Sequence, residues 1–349
     1  MKTILVTGSG GLVGRETSEF FLNKGFRVIG IDNNLRKHFF GEDGNIESNM
    51  NHLKKFSDYD HRTCDIRNVS GLELIFQEFN SEISVIIHCA AQPSHDWAVK
   101  DPLMDFNVNA TGTLNLLELT RKYCKDAVFI FMSTNKVYGD NPNKLNLVEL
   151  DTRYEISADG PYLNGIDETF SIDNTKHSLF GCSKLSADVY VQEYGKYFGM
   201  KTTVFRGGCL TGSKHKGAEL HGFLNYLVKC NLKSTPYNIY GYKGKQVRDN
   251  IHSYDLANAF YEVCLNPKVG EVYNIGGGRH ANCSIIEAIT LIENITNVSS
   301  NTTYVDANRV GDHIWWISDV SKFKSHYPNW SYTYDLPRII KEIVDNIEK

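Results

Sequence analysis

Three glycines near the beginning of the sequence are spaced for contact with a phosphate group. Gly8, Gly11 and Gly14 form a G-x-x-G-x-x-G pattern between an apolar run and a helical pattern. In such a loop the first glycine permits a tight turn, the second lets the backbone approach a pyrophosphate, and the third lets the helix pack closely on its strand. The amino end of that helix faces the phosphates. The pattern therefore predicts a dinucleotide site.

An acidic residue at the end of the next apolar run supports this prediction. Asp32 follows Gly14 by eighteen residues, where a carboxylate binds the adenosine ribose hydroxyls. It would repel a 2′-phosphate, so NAD is favoured over NADP, although Arg36 nearby could moderate the repulsion. The cofactor residues predicted for this unit are Gly8, Gly11, Leu12, Val13, Gly14, Asp32, Asn33, Asn34 and Arg36.

The elements that must position these residues alternate between strands and helices. Buried parallel strands are predicted at Thr3–Val6, Arg27–Ile31, Val85–His88, Val128–Met132 and Lys201–Phe205. Helices are predicted at Val13–Asn23, Val69–Phe79, Leu103–Lys122 and Ser183–Phe198. This order indicates an α/β fold with a Rossmann-type, doubly wound parallel sheet.

The regular alternation of strand and helix patterns ends at about Gly207, and this change predicts a second lobe. We expect an NAD-binding domain at 1–206, with a strand or helix contributed from about 250–280, and a smaller, interleaved substrate-binding lobe at 207–349. In that lobe Ser284 and Glu287 form a capping box that opens a helix at Ile285–Asn294. The stretch Asp140–Lys176 is too long for an ordinary connection, and its Tyr, Ile and Leu content favours an ordered loop.

Composition excludes several classes of function. The 349 residues are 41% hydrophobic and 22% charged, and the net charge of -4 provides no basic field for nucleic acid or an anionic membrane. The eight cysteines form no CxxC pair, and the opening MKTILVTG predicts a strand and not a signal peptide. We therefore expect a cytoplasmic protein with reduced thiols. His215, Lys216, Glu219 and His221 lack tight ligand spacing, so no metal site is predicted.

Further motifs resemble the extended short-chain dehydrogenase/reductase family, whose members are NAD-dependent epimerases and dehydratases. They are Asp65-Ile66, Ala90-Ala91, Asn109 in an N-x-T-G-T segment, and Ser133-Thr134 followed by Val137-Tyr138-Gly139, and the resemblance covers essentially the whole chain. It implies that Asp65 and Ile66 contact the adenine. It also implies that the far half of the cofactor is lined by Ala90, Ala91, Gln92, Lys100, Asn109 and Lys184.

The same resemblance extends to a nucleotide-sugar site. Gly207–Gly212 and Lys245–Asp249 are similar to the substrate half of the family's site. Four longer stretches are similar to a branch that inverts C2 of a CDP-activated dideoxyhexose; they are Ala90–Trp97, Ser133–Lys136, Gly241–Asp249 and Gly311-Asp312. Arg248 would then pair with the diphosphate through its planar guanidinium, and Arg309 and Asp312 would hold the nucleoside. His95, Asn135 and Lys136 complete the predicted substrate residues.

The catalytic segment departs from the family pattern. Members of the family use Tyr-x-x-x-Lys with an upstream Ser or Thr. Here Thr134 and Lys184 are present, but Phe180 occupies the tyrosine position, and a phenyl ring cannot exchange protons. Three alternatives remain open: another group acts as base, the substrate relays its own proton, or the chain binds ligand without turnover. The possible bases are His95, Tyr162, His177, Cys182 and Lys184.

The resemblance favours a 2-epimerase with a transient 2-keto intermediate and a cofactor recycled within one turnover. A 4-epimerase or reductase acting on another nucleotide sugar, and a non-catalytic binding protein, are the alternatives. A 4,6-dehydratase is not expected, because Asn135 and Lys136 replace that branch's Asp and Glu.

The helical stripes of Leu103–Lys122 and Ser183–Phe198 match the helices through which relatives form homodimers or homotetramers. Trp315-Trp316 could stack a base, but core packing is favoured.

Overall fold

A computed structural model describes residues 2–215, 222–308 and 311–347 of the chain. Arg309, which the family resemblance places at the nucleoside end of the site, lies outside the described residues, as do Lys216, Glu219 and His221. Within the described part, no helix is both long enough and apolar enough to cross a membrane.

Fifteen strands are described, most of them short. They are β1 (Thr3–Thr7), β2 (Arg27–Ile31), β3 (Tyr59–Arg62), β4 (Ile83–His88), β5 (Val128–Thr134), β6 (Leu147–Glu149), β7 (Tyr154–Ile156), β8 (Lys201–Gly207), β9 (Cys209–Thr211), β10 (Tyr237–Tyr240), β11 (Val247–His252), β12 (Glu271–Ile275), β13 (Asn282–Ser284), β14 (Thr302–Val305) and β15 (Trp315–Trp316).

Thirteen α-helices are described among these strands. They are α1 (Leu12–Asn23), α2 (Leu35–Phe40), α3 (Glu47–Leu53), α4 (Val69–Phe79), α5 (His95–Lys100), α6 (Pro102–Phe106), α7 (Gly112–Tyr123), α8 (Leu179–Phe198), α9 (Phe223–Leu232), α10 (Ser253–Leu265), α11 (Ile285–Thr296), α12 (Ser321–His326) and α13 (Leu336–Asn346).

The central sheet has seven parallel strands in the order β12-β8-β5-β4-β1-β2-β3. The five strands predicted from the sequence, β1, β2, β4, β5 and β8, are largely buried, and each face of the sheet packs against helices in a separate apolar cluster. The chain leaves β1 toward β2 on one side and later returns to β4 on the other. Ligands of doubly wound sheets bind at such a reversal of strand order, outside the carboxyl ends of the strands. The predicted Rossmann-type fold is confirmed.

Local signals set the ends of many elements. Strand β2 and helix α4 have the predicted bounds, and the capping box of Ser284 and Glu287 is present at the start of α11. The predicted helix at Leu103–Lys122 differs, because it is divided into α6, a π-helical turn at Asn107–Thr111 and α7. Single π-helical turns inside α-helices are frequent at functional sites.

The carboxyl-terminal half contributes to two bodies. Most of it forms a smaller lobe, in which β13, β11, β15 and β9 make one sheet and α9, α11 and α13 share an apolar cluster. Trp315 and Trp316 are fully buried there, which confirms core packing. Strand β12 instead joins the edge of the central sheet. Helix α10 packs on α1, where the rings of Phe20 and Tyr254 are 5.4 Å apart.

Candidate active site

One large cleft opens at the carboxyl ends of the central strands, between the sheet and the smaller lobe. Its volume is about 490 Å³. We call the part lined by Gly8–Gly14, Asp32 and Asp65 the glycine-loop end, and the part lined by Lys136, Arg248 and Asp312 the Arg248 end. The cleft is lined by most of the predicted site residues: Gly8, Gly11, Leu12, Val13, Gly14, Asp32, Asn33, Arg36, Asp65, Ile66, Ala90, Ala91, His95, Thr134, Asn135, Lys136, Lys184, Arg248 and Asp312.

Close backbone contacts at the glycine-loop end explain why glycines are needed. A Cβ atom added to Gly14 would lie 2.0 Å from the carbonyl oxygen of Gly8, and one added to Gly8 would lie 2.7 Å from the backbone nitrogen of Ala90. Gly8 also has a φ of 68°, in the left-handed region that favours glycine. The loop therefore tolerates no side chain at either position.

The amino end of α1 is built to receive an anion. Gly11 precedes the helix, and among the residues that the structure describes no side chain caps this end. The first backbone N–H groups of a helix have no partner within the helix, and the helix dipole adds partial positive charge there. A pyrophosphate satisfies both requirements. The donor groups of this end therefore fit a dinucleotide.

Two carboxylates complete the glycine-loop end. The Asp32 carboxylate accepts hydrogen bonds from the backbone N–H of Gly10 (2.9 Å) and of Asn34 (2.8 Å), and burial raises its pKa. The Asp65 carboxylate accepts hydrogen bonds from the side chains of Arg67 and Asn33. The hydrogen bond from Arg67 is the main cause that lowers the pKa of Asp65. Both carboxylates are thus fixed in place at the wall where ribose and adenine are expected.

Four predicted cofactor residues do not line the cleft. Asn34 turns away from it and donates to Asn45 at 2.9 Å, and Lys100 lies at the exposed end of α5, 4.0 Å above the Trp97 ring. Gln92 and Asn109 are buried behind the wall of the cleft. In the structure the side chains of these four residues contact other protein groups.

Gln92 and Asn109 belong to a buried polar network that also includes Asp105 and Ser183. The amide of Asn109 donates to the Gln92 carbonyl (3.0 Å), to the Asp105 carboxylate (3.1 Å) and to the Ser183 hydroxyl (3.0 Å). Gln92 in turn donates to Asp105 at 2.7 Å. The network connects the loop after β4 with helix α8. Neither Asp105 nor Ser183 was singled out from the sequence, because nothing in their spacing indicates this contact.

Lys184 lies on α8 in the middle of the cleft. Its side chain is 3% exposed, its ammonium donates to the Met132 carbonyl at 2.7 Å, and it lies 4.2 Å above the Phe131 ring. Burial lowers its pKa to about 8. The residue is therefore charged at neutral pH but close to titration. Thr134 lines the same region, where its hydroxyl accepts from the backbone N–H of Lys136 at 3.2 Å.

Phe180 is the second residue of α8 and lines the cleft, as Lys184 does. Its ring packs edge-on against the imidazole of His95, with ring centroids 5.0 Å apart. The position usually held by a phenol is therefore occupied by a phenyl ring with a histidine against it.

The five possible bases separate in the structure. His95 and Lys184 line the cleft. The His177 ring is paired with the Ile172 carbonyl at 2.9 Å, Tyr162 packs against Phe170 in another apolar cluster, and Cys182 is exposed on the outer side of α8. The structure therefore brings two of the five to the place where chemistry is expected.

A second buried network supports the end of β5. Arg206 and Asp188 form a fully buried ion pair at 2.9 Å, and Asp188 also accepts from the Ser133 hydroxyl at 2.7 Å. Arg206 further donates to the Tyr138 hydroxyl at 3.0 Å. This network fixes the strand end that presents Thr134. The sequence does not reveal it, because its members are up to 73 positions apart.

The Arg248 end is held together by contacts across the chain. Arg248 is buried, forms an ion pair with Asp312 and donates to the Val247 carbonyl at 2.7 Å. Lys136 donates to the Gly311 carbonyl at 2.9 Å. These contacts join the end of β5 to the loop that carries Asp312. Leu210, Thr211 and Gln246, from the stretches that resemble the family's substrate half, also line the cleft. Lining residues that sequence reasoning did not assign are Phe223, Leu224, Asn225 and Ile285.

The described residues contain no set of side chains that is arranged to bind a metal ion. No group of three or more His, Cys, Asp or Glu side chains within residues 2–215, 222–308 and 311–347 is arranged to hold an ion. Burial and the charge of Arg36 lower the pKa of His215 to about 3, so this imidazole is neutral.

Comparisons with known proteins agree with this arrangement. A model of the NAD dependent epimerase/dehydratase family matches residues 4–276. The chain is 32% identical to CDP-paratose 2-epimerase of Salmonella typhi over 336 residues, which cover 94% of each chain. It is 27% identical to UDP-glucuronate 4-epimerase of Thermodesulfobacterium geofontis, covering 99% of this chain and 97% of the relative. It also superimposes on the crystal structure of UDP-glucose 4-epimerase from Thermotoga maritima with UDP-glucose, with a TM-score of 0.78, 26% identity, and coverage of 99% and 98%.

Proposed function

The chain belongs to the NAD dependent epimerase/dehydratase family, and from this premise we propose that it inverts C2 of the sugar in a CDP-activated nucleotide sugar. The chain is an NAD-dependent enzyme of the isomerase class. The observation that carries the specific proposal is its similarity to CDP-paratose 2-epimerase, 32% over 94% of both chains, against 27% for the 4-epimerase named above. Asn135 and Lys136 at the end of β5 are consistent with it, because they provide no carboxylates for water elimination.

In this proposal the glycine-loop end holds NAD. The amino end of α1 receives the pyrophosphate, Asp32 binds the adenosine ribose, and Asp65 and Ile66 contact the adenine. Lys184, whose ammonium donates to the Met132 carbonyl, is assigned to the nicotinamide side. The chemistry that NAD supplies when bound is the reversible transfer of a hydride at a sugar carbon. The carboxylate of Asp32 favours a cofactor without a 2′-phosphate.

The Arg248 end holds the nucleotide sugar. Arg248 binds the diphosphate, for which its planar guanidinium provides two parallel donors, and Asp312 fixes the position of the guanidinium. The family resemblance assigns Arg309, which lies outside the described residues, to the nucleoside. Thr134 donates a hydrogen bond to the sugar hydroxyl that becomes a ketone. Inversion then requires the 2-keto sugar to turn its other face to the cofactor while its diphosphate stays bound.

The two halves of the chain divide these tasks. Residues 1–206, completed by β12 and α10, form the NAD-binding domain, and 207–349 form most of the nucleotide-sugar lobe. A cleft between two such bodies excludes water from the ketone more easily than an open surface does.

A second candidate function follows from Phe180. A chain that lacks the phenol could bind NAD and a sugar nucleotide without turning them over, or could act at C4, as the 4-epimerase relatives do. Retention of Lys184, Thr134 and Arg248 in the cleft supports an enzyme over a binding protein.

Purified protein tests the proposal directly. Bound NAD, released by denaturation, is expected in near-stoichiometric amount because a recycled cofactor need not leave. Incubation with CDP-, UDP- and GDP-sugars, followed by NMR of the product, should show inversion at C2 of a CDP-sugar. A substrate deuterated at C2 should keep its deuterium. Inversion at C4 alone, or exchange of the C2 deuterium with solvent, would reject the proposed reaction.

We also propose that the chain forms a homodimer or homotetramer through α6, α7 and α8. Two of these helices, α6 and α8, expose large apolar side chains: Leu103 is 76% exposed, Phe106 49% and Tyr197 80%. Apolar surface of this kind marks an interaction site where it is contiguous, and its burial between copies of the chain is what the proposal requires. Light scattering should give at least twice the 39.6 kDa of one chain, and a Leu103→Lys, Phe106→Lys variant should lower that mass.

A further inference from the structure

The described lining of the cleft includes Thr134, Lys184 and Arg248, but Phe180 occupies the position at which the family's phenol exchanges the substrate's proton. An alcohol that loses hydride must also lose its hydroxyl proton, and the proton must return when hydride comes back. Phe180 has no exchangeable hydrogen. The imidazole beside it does, and it is a side chain whose ordinary function includes proton transfer near neutral pH.

His95 is the first residue of α5 and is held there by several contacts. Ser94 caps the helix by accepting from the backbone N–H of Trp97 at 3.3 Å, and the Ser94 carbonyl accepts from Gln92 at 2.8 Å. The Trp97 indole donates to the Phe39 carbonyl at 2.7 Å and so anchors α5 to α2. The segment that carries His95 is therefore fixed at both ends.

The same segment is connected to the helix that carries Phe180 and Lys184. Asn109 bonds both the Gln92 backbone and the Ser183 hydroxyl, and Ser183 directly precedes Lys184. All four residues of this network are almost fully buried: Gln92, Asn109, Asp105 and Ser183. Its geometry therefore fixes the imidazole in relation to the ammonium and the phenyl ring.

Gly311 lies close to the other side of the His95 imidazole. A Cβ atom added to Gly311 would lie 3.3 Å from Cε1 and from Nδ1 of His95. Gly311 carries the carbonyl to which Lys136 donates, and Asp312 follows it. The imidazole thus lies between Phe180 on one side and the loop of the Arg248 end on the other, where the sugar is expected.

From this arrangement we infer that His95 is the catalytic acid and base that replaces the phenol absent at Phe180. This inference rests on the proposed function. In the oxidation, the O–H bond of the sugar hydroxyl breaks, its proton forms an N–H bond on the imidazole, and the C–H electron pair leaves as hydride to NAD. In the reduction, the imidazolium returns the proton to the carbonyl oxygen as hydride returns to carbon. Both atoms and electrons balance without an added reagent.

Lys184 has a different task. Its ammonium is turned to the Met132 carbonyl and the Phe131 ring, so it supplies positive charge and hydrogen bonds and not a lone pair. A cation beside the reacting oxygen also stabilises developing negative charge. The two residues together thus divide the work that a phenol–ammonium pair does elsewhere in the family.

The central experiment compares His95→Asn with His177→Asn, a matched change at a histidine that is paired outside the cleft. On a substrate that the unaltered chain epimerises, we expect H95N to lower turnover by about a hundredfold or more, with bound NAD and sugar-nucleotide affinity by calorimetry within about threefold of the unaltered chain. H177N should leave all three unchanged. In NMR of the unaltered protein, the His95 ring signals should shift on addition of the sugar nucleotide.

Two rescue measurements distinguish an acid–base role from a structural one. The double variant H95N, F180Y returns a phenol beside Lys184 and should regain at least about tenfold in turnover. His95→Ala should gain turnover when imidazole is added. Turnover of H95N within about fivefold of the unaltered chain, or equal losses of turnover and of ligand binding without either rescue, would overturn the inference alone. An unaltered chain that binds NAD but converts no sugar nucleotide would overturn the proposed function and this inference with it.

Discussion

The two ends of the cleft are built in different ways. The glycine-loop end comes mainly from one short stretch, in which backbone N–H groups and the absence of side chains do the work. The Arg248 end and the middle of the cleft depend on side chains from distant positions, supported by buried ion pairs and amide networks. The first kind of site depends on local steric fit, and the second depends on the integrity of the whole fold. Substitutions should therefore fail differently at each end.

The largest effect is expected from a residue that contacts no ligand. Asp188→Ala would leave the buried Arg206 guanidinium without its partner, which typically costs about 3–5 kcal/mol of folding free energy. Urea unfolding would measure it. The matched control, Glu193→Ala, breaks a surface pair with Lys196 on the same helix and should change stability little. Equal stabilities of the two variants would show that the ion pair does not support this half of the site.

A smaller loss should separate fold from binding at the glycine-loop end. Gly14→Ala forces a Cβ against the Gly8 carbonyl and should cost about 1–3 kcal/mol of stability as well as bound NAD. The backbone at Gly11 has an ordinary φ of -69°, and the Cβ added by Gly11→Ala would lie 3.3 Å from the Gly8 carbonyl oxygen. It should keep the Tm but weaken NAD binding. Cofactor content and thermal unfolding measure both. Unchanged NAD content in G11A would contradict close approach of the pyrophosphate.

At the Arg248 end the expected effect is on substrate affinity. Arg248→Lys keeps the charge but loses the two-donor fork, so KM should rise about tenfold while kcat stays close to its value in the unaltered chain. Lys243→Arg, in an exposed pair with Glu149, is the control and should change neither constant. A fall in kcat with constant KM would instead place Arg248 at the reacting carbon.

The mildest test concerns Lys184, which lies between the two ends. Burial lowers its pKa to about 8, so the ammonium is lost as the pH rises through that value. If the charged form is the active one, kcat/KM should be near its maximum at pH 7 and about half of it at pH 8. The variant Lys184→Gln should lack this falling limb in whatever activity it keeps. A profile that rises through pH 8 would mean that the neutral amine is required.

The same contrast explains what the sequence could predict. The apolar runs and the glycine spacing are local signals, so the central sheet, the bounds of β2 and α4, and the lining of the glycine-loop end could be predicted from them. Local patterns did not reveal how side chains use their polar atoms. The sequence predicts Gln92 and Asn109 at the cofactor but does not reveal the buried network that their amides form, because a motif gives residue types and not the direction of an amide.

Contacts between distant positions were beyond reach for a related reason. The pairing of Arg206 with Asp188, and of Lys136 with the Gly311 carbonyl, depends on how strands and loops meet in space. Lys100 lies outside the cleft because the short helix α5 ends with it at the surface, stacked on Trp97. Sequence reasoning could name five candidate bases. Only the packing of α5 against α8 shows that two of them, His95 and Lys184, line the cleft.

The return of β12 to the central sheet has a consequence for how the protein is made. During synthesis β8 emerges about 70 residues before β12, so its outer edge stays unpaired while the ribosome adds residues 208–270. An unpaired strand edge recruits other chains. A fragment ending at residue 206 should therefore aggregate when expressed alone, and cells that translate this chain slowly through 207–275 should need chaperones to obtain it intact.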